Sequence, residues 1–144
     1  MSATFLTDLK NVVVGGVSIL PQTYSTAGTK TGSAVDLLTA DGPVSLLAVT
    51  GDCGDANTNF YFRLTECDTS GGTYTTMADS TSDTYTGATA GDNLMVVVSS
   101  AKRTKRYVKA ECVIATTGTA SVPVSVAVLA RKKIVGTGDG SITS

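Results

Sequence analysis

The chain has 144 residues, of which 42% are hydrophobic and 16% charged, and its formal net charge is −1. A chain of this length is most simply one domain, which buries about 70% of its extended surface and folds without a metal or disulfides. The composition argues against disorder, and the small net charge provides no global field that would favour nucleic acid or a membrane surface.

The N-terminal sequence and the cysteines bear on where the protein is made. MSATFLTDLK contains Asp8 and lacks the basic start and apolar core of a signal peptide, and no apolar run approaches the roughly 20 residues that span a bilayer. The three cysteines, Cys53, Cys67 and Cys112, are odd in number and irregularly spaced, which argues against a secreted disulfide framework. We therefore expect synthesis in a reducing cytoplasm and no disulfide within the subunit; Cys67–Cys112 would be the first pair to examine.

The first predicted elements are short strands separated by polar turns. Residues 1–10 form an N-terminal arm, and the sequence leaves open whether the arm is helical or extended. The β-branched residues of 12–20 (VVVGGVSIL) predict a strand with a bulge or bend at Gly15-Gly16, ended by Pro21. Further strands are predicted at residues 35–38, 44–50, 60–67 and 94–99, and residues 73–89 predict a short strand with a long loop.

The FYFRLTEC segment shows alternation along one strand. Phe60, Phe62 and Leu64 predict a core face. The intervening side chains predict a surface face, which comprises Tyr61, Arg63 and Thr65.

The most regular alternation lies between residues 105 and 133. Two series of apolar residues recur with period two: Val108, Ala110, Cys112 and Ile114, followed by Val122, Val124, Val126 and Val128. This period predicts two strands, and the polar run at residues 116–121 is typical of a hairpin loop. The sequence thus predicts an antiparallel hairpin with one apolar face. In its second strand Val124, Val126 and Val128 are expected to be buried, with Ser125 and Ala127 facing outward or toward a subunit partner.

The elements together predict an all-β fold. About seven or eight short strands form a single antiparallel β-sandwich or a jelly-roll-like barrel with flexible termini. The predicted division is an N-terminal arm at residues 1–10, a β-sandwich domain at 11–135 and a C-terminal tail at 136–144.

The residue types exclude the enzyme classes whose catalytic site depends on histidine. The chain contains no His, so a Ser-His-Asp or Cys-His arrangement is impossible and the commonest metal ligand is missing. The two glutamates, Glu66 and Glu111, fall at predicted surface or edge positions, and no apolar pocket suggests that they form a glycosidase pair. Residues 51–57 (GDCGDAN) could offer oxygens to calcium, although a plain turn is favoured. We predict no enzymatic activity and no catalytic, cofactor or metal residues.

One cluster of positive charge precedes the second alternating region. Residues 101–106 (AKRTKR), named here the basic turn, lead into the strand that begins near Tyr107. The candidate docking residues are Lys102, Arg103, Lys105, Arg106 and Lys109. Two interpretations remain open: docking on an acidic protein surface, or a solvated cap that guards a strand edge. Nucleic acid is a weaker third.

The order of motifs resembles the head decoration, or capsid cement, proteins of tailed bacteriophages. The matching segments span roughly residues 12–133: GSAVDL at 32–37, the apolar strand at 44–49, the turn at Gly51, FYFRLTEC at 60–67, GTY at 72–74 and KRYVKA at 105–110.

This resemblance implies a non-enzymatic virion protein that binds the major capsid protein on the outside of the head and is often trimeric. For a phage protein, the reducing compartment expected from the cysteines is the host cytoplasm, and the small net charge predicts no nucleic-acid or membrane partner. The alternatives are a phage tail or neck component, or a host-surface module that binds carbohydrate. The absence of Trp makes the carbohydrate module weaker.

Overall fold

The computed structural model describes residues 13–54, 56–87, 94–133, 135–136 and 142–143. Over these residues the chain forms strands and no helix, which confirms the all-β prediction; nothing in this part of the chain is therefore a helix that could cross a membrane. The strands are β1 (Val13–Tyr24), β2 (Gly28–Thr31), β3 (Val35–Asp36), β4 (Ala40–Thr50), β5 (Asn59–Cys67), β6 (Thr75–Thr76), β7 (Tyr85–Thr86), β8 (Met95–Ala101), β9 (Tyr107–Ala115), β10 (Val122–Lys132), β11 (Val135–Gly136) and β12 (Ile142–Thr143).

Two antiparallel sheets form the body of the molecule. The four-stranded sheet has the order β1-β10-β4-β8, and the six-stranded sheet has the order β2-β9-β5-β6, with β3 also paired to β9 and β7 to β5. From β4 onward the chain alternates between the two sheets: its long strands β4, β8 and β10 lie in the four-stranded sheet, and β5 and β9 lie in the six-stranded sheet. This alternation is typical of a jelly roll, so the predicted sandwich or jelly-roll fold is confirmed.

The predicted hairpin of β9 with β10 is wrong. β9 pairs with β2, β3 and β5, whereas β10 pairs with β1 and β4, so the two strands lie in different sheets. Residues 116–121 connect the sheets instead of closing a hairpin. In a hairpin the two apolar faces would lie side by side and need another layer to cover them. On opposite sheets they cover each other.

The core lies between these inner faces. The four alternate valines of β10 are each at most 4% exposed, and the four alternate apolar residues of β9 at most 3%. The predicted burial of Val124, Val126 and Val128 is therefore confirmed, and each buried Val contributes about 1.5–3 kcal/mol to stability.

β5 packs its aromatic side chains into the same core. Phe60, Phe62 and Leu64 are fully buried, as the alternation predicted. Thr65 differs, since it is only 3% exposed although it alternates with the core residues. It is flanked in the sheet by Lys109 on β9 and Thr76 on β6, and these neighbours cover it.

β1 runs further than predicted. It continues through Pro21 to Tyr24, and its bulges lie between Val17 and Ile19 and between Ile19 and Gln22, not at Gly15-Gly16. Pro21 is tolerated because β1 is an edge strand and the ladder is already irregular there. Gly15 has a φ of +152°, and a Cβ at this position would overlap the carbonyl oxygen of Val128, so close packing of the two backbones requires glycine.

The predicted terminal segments are only partly described. The N-terminal arm at residues 1–10 lies outside the described residues. In the predicted tail at 136–144, β11 pairs with β12 through Val135–Thr143 and Gly136–Ile142, and the rest of the tail lies outside the described residues. The domain bounds at 11 and 135 stay a prediction.

Candidate docking surfaces

The basic turn joins β8 to β9 and differs from residue to residue in what its cations contact. Lys102 is exposed, and no ion pair or hydrogen bond is found for its ammonium group among the described residues. The side chain of Lys105 is 35% exposed, with its Nζ 3.9 Å from Asp68 Oδ2. These two lysines present their charge to solvent.

Arg103 holds the basic turn against the four-stranded sheet. Its Nη1 donates to the carbonyl of Lys105 at 2.9 Å, and its Nη2 donates to the carbonyl of Ala40, the first residue of β4, at 3.1 Å. Nε is buried and has no hydrogen-bond partner within the described part of the chain. The structure thus uses most of this guanidinium to fix the turn.

Arg106 is paired with a carboxylate on a neighbouring strand. Its Nε donates to Asp36 Oδ1 at 2.9 Å and its Nη2 donates to Asp36 Oδ2 at 2.8 Å, a two-point contact with β3. The guanidinium also lies 4.9 Å from the centre of the Tyr107 ring. The hydrogen bonds from Arg106 are the main cause that lowers the pKa of Asp36 to about 2.

Lys109 points along the outer face of the six-stranded sheet. Its Nζ lies 4.2 Å from the centre of the Tyr74 ring, in a cation–π contact. This places Lys109 beside the basic turn on the same side of the molecule, although it belongs to β9.

The carboxylate of Glu66 holds the basic turn in place through hydrogen bonds. It accepts hydrogen bonds from the amide of Thr104 at 2.8 Å, the hydroxyl of Thr104 at 2.6 Å and the amide of Lys105 at 3.1 Å. It is only 7% exposed, so the predicted surface or edge position is wrong. Burial raises the pKa of Glu66, but the bonds from Thr104 and Lys105 together outweigh that effect and lower it.

The positive charge of the basic turn is partly balanced by carboxylates of the same chain. Three carboxylates lie among its five cations, because Asp36, Glu66 and Asp68 each contact the basic turn. The sequence pattern could not reveal them, since they come from β3, β5 and the loop after β5. Of the five candidate docking residues, only Lys102, Lys105 and Lys109 offer charge that no carboxylate holds at hydrogen-bond distance among the described residues, and their docking role stays a prediction.

A second surface, not predicted as a unit, is the outer side of the four-stranded sheet. Two adjacent rows of side chains cross it: Val17, Ala127, Leu47 and Val97 form one row, and Ser125, Val49 and Met95 form the other. We name these two rows the apolar face. None of its residues is charged.

The apolar face carries four of the six large exposed apolar side chains of the described residues. The structure exposes six large apolar side chains among the described residues, and five lie on strands of this sheet: Val17 (47%), Leu20 (64%), Val49 (50%), Met95 (66%) and Val97 (60%). The sixth is Leu38, in the connection after β3. Contiguous exposed apolar patches commonly mark interaction surfaces.

A groove opens at one end of the apolar face. It has a volume of about 480 Å³ and lies between β1, β10 and β4. Pro21, Val49, Gly51, Pro123 and Ser125 are among its lining residues, and none of the lining residues is charged. The groove is therefore suited to an apolar side chain rather than to an ion.

The outer side of the six-stranded sheet is different and is named here the polar face. Arg63 Nε donates to Glu111 Oε2 at 2.6 Å, with the two side chains 29% and 13% exposed. Thr31 lies opposite Glu111 and bonds to its other oxygen at 3.4 Å. The charges of this face are largely paired within the chain.

The remaining candidates show no reactive chemistry. Among the described residues, no group of three His, Cys, Asp or Glu side chains could hold a metal ion; Asp55, in the predicted calcium alternative, lies outside them. The three cysteines are free and buried. Burial raises the pKa of the Cys112 thiol to about 12. Cys67 pairs in register with Tyr107, five residues along β9 from Cys112, so about 17 Å separates them and a disulfide between them is excluded.

One part of the apolar face had a sequence signal. The alternation in β10 predicted that Ser125 and Ala127 face outward or toward a subunit partner, and the structure places both on the outer side. The neighbours that make the face apolar come from β1, β4 and β8. Their pairing cannot be read from alternation alone.

Similarity to known proteins is limited to the fold. No family model matches the chain, and no curated protein matches it. Among solved structures, a chain from the structure of infectious bursal disease virus, Gx strain, is similar with a TM-score of 0.50 and 15% sequence identity. The similarity covers 88% of this chain and 37% of that chain, so this chain spans little more than a third of the viral chain's length. At this identity the finding shows a shared β fold.

Proposed function

We propose that the chain is a non-enzymatic structural protein of a virus particle, which binds the outer surface of a phage capsid and stabilises the head lattice. The observation that supports this most is the jelly-roll sandwich, whose fold is similar to that of a chain in a virus structure. The motif resemblance to phage decoration proteins narrows the proposal to the capsid exterior. The partner is then the major capsid protein, and the chain acts as a homo-oligomer for which that resemblance implies three copies.

Repeated weak contacts are sufficient for this role. A lattice presents the same site many times, so subunits linked to one another attach far more strongly than one subunit would. Exposed ion pairs contribute only about 0–1 kcal/mol each. Lys102, Lys105 and Lys109 supply such contacts to an acidic capsid surface, while Arg103 and Arg106 keep the basic turn in shape.

The location is tested by mixing the purified protein with capsids that lack it and, separately, with detached tails. The expected result is saturable retention on capsids at a fixed copy number and an increased resistance of the heads to heat or chelation. Retention on tails alone, or on neither particle, would overturn the proposed role.

The basic turn is tested separately, with variants chosen from the contacts. Lys102→Glu combined with Lys105→Glu reverses the outward charge and replaces no side chain that bonds to Arg103 or Arg106. The matched control is Lys132→Glu with Lys133→Glu, two exposed lysines at the end of β10. We expect weaker capsid binding and a flatter salt dependence for the first pair only, because screening acts over about 8 Å at physiological salt. Equal binding by both pairs would exclude the turn as the docking site.

A further inference from the structure

The outer side of the four-stranded sheet, which contains the apolar face, has an area that suits a protein interface. Four strands spaced about 4.8 Å apart cover about 19 Å, and strands of the length of β8 to β10 extend about 23–36 Å. β8 has 7 residues and β10 has 11. The footprint is thus about 450–700 Å² per copy, and two copies would bury about 900–1,400 Å², which reaches the roughly 1,000 Å² that a specific interface needs.

Because the apolar face carries no charge, it favours an uncharged surface as its binding partner. A partner recognised through ions would leave charges desolvated against Val17, Val49, Met95 and Val97, at a cost that apolar side chains cannot offset. The same face of another copy has no charge to desolvate and no like-charge contact. At the end of the sheet, Arg131 Nη2 lies 2.9 Å from Asp41 Oδ2, so the nearest charges are already paired.

The shape of the apolar face is complementary to itself, because it has projecting side chains at one edge and a groove toward the other. Met95 and Val97, the most exposed of its residues, project from β8 at one edge, whereas the groove lies beside β1 and β10 toward the other edge. A twofold axis parallel to the strands, between β10 and β4, would place β8 of each copy over β1 of the other. Met95 lies in the same row as Ser125, so this operation brings it over the partner's groove.

We propose that the apolar face packs against the same face of a second copy of this chain, in a twofold arrangement with Met95 of each copy seated in the groove of the other. Such a contact is isologous, because one surface supplies both halves of the interface. The inference follows from the face alone and goes beyond the proposed function. It differs from the three copies that the phage resemblance implies.

The test is sedimentation velocity of the wild-type chain and three variants over a range of concentrations. Val97→Glu and Ser125→Glu place a charge on the apolar face. Leu38→Glu is the matched control, since Leu38 is as exposed as Val97, at 62% against 60%, but lies off the face. A thermal melt of each variant establishes that it is folded.

We expect a dimer for the wild type and for Leu38→Glu, and a rise of about 100-fold or more in the dissociation constant for the two face variants, because each buries an unpaired charge. A wild-type monomer, a wild-type trimer, or dimers of Val97→Glu and Ser125→Glu as tight as the wild type would each overturn the proposal. A wild-type monomer that still binds capsids would overturn this inference while leaving the proposed capsid binding intact.

Discussion

The outer faces of the two sheets differ in what they leave available to a partner. On the polar face, Arg63 is paired with Glu111, and Lys109 lies over the ring of Tyr74. On the apolar face, Val49, Met95 and Val97 are at least half exposed and contact no opposing layer among the described residues. The inner faces of both sheets contribute buried apolar side chains to one core, so the difference between the two sheets lies in the chemistry of their outer faces.

This difference separates two kinds of contact. Charges that are satisfied within the chain gain little from a partner, because new ion pairs must replace existing ones. Exposed apolar area gains about 25 cal/mol for each Å² that is removed from water. Stable association is therefore expected on the apolar face, and weak, salt-sensitive contacts near the basic turn.

The largest effect is expected from two adjacent residues on β10 that face opposite ways. Val126 is fully buried, and Val126→Asp places a charge in the core at a cost above about 4 kcal/mol, a large part of the total stability. We expect this variant to be unfolded by circular dichroism at 25 °C. Ser125→Asp loses one bond from Oγ to the carbonyl of Ile19, 3.2 Å long, and should cost only about 1 kcal/mol. If Ser125→Asp were the more destabilising variant, Ser125 and not Val126 would face the core, and the register assigned to β10 would be wrong by one residue.

The second effect concerns the support of the basic turn. Glu66→Ala leaves the amides of Thr104 and Lys105 without their acceptor, and we expect a loss of about 2–3 kcal/mol in urea unfolding. Glu66→Gln keeps one acceptor oxygen and should lose less. Equal stability of Glu66→Ala and the wild type would show that the turn does not depend on this carboxylate.

The third prediction is a pH dependence with a definite sign. The pKa of Glu66 is lower in the folded protein than its ordinary value, so the folded state binds fewer protons. The stability that Glu66 contributes is fully present above the unfolded pKa of about 4.3 and is lost as the pH falls through the lower folded pKa. Urea unfolding from pH 7 to pH 3 should therefore show a steeper loss for the wild type than for Glu66→Gln. Parallel curves would contradict the assignment.

The fourth effect measures how much the pairing on the polar face contributes. A double-mutant cycle of Arg63→Ala and Glu111→Ala should give a coupling of about 0.5–1 kcal/mol, since the two side chains are partly exposed. The coupling should decrease in 1 M salt. A coupling near zero at low salt would mean that Arg63 and Glu111 do not stabilise each other, and the contrast between the polar face and the apolar face would be lost.

The smallest effect is expected at Lys102. Lys102→Ala should change the melting temperature by less than the error of the measurement, because no partner for its ammonium is found in the described part of the chain. Arg106→Ala is the matched comparison, since it removes the two-point contact with Asp36 and should lower the melting temperature measurably. A destabilised Lys102→Ala would assign this lysine a structural role.

The sequence by itself determined the fold class and the inward-facing residues. Strict alternation in β9, β10 and β5 identified eleven of the 24 buried hydrophobic residues of the core, because the period of a strand is a local property of the backbone. The absence of His excluded every catalytic site that depends on an imidazole, since composition alone settles that point. Thr65 and Glu66, both misassigned to the surface or an edge, lie near the end of β5, where neighbouring segments cover them.

The tertiary structure alone decided which strands pair and what surrounds each charge. Alternation cannot distinguish a hairpin from two strands on opposite sheets, since both bury the same residues. β9 and β10 lie on opposite sheets because each apolar face must be covered by another apolar layer. The basic turn looked like free charge because Asp36, Glu66 and Asp68 are distant from it in the sequence. The apolar face was hidden for the same reason: its rows join β1, β10, β4 and β8, and strand order depends on packing between distant parts of the chain.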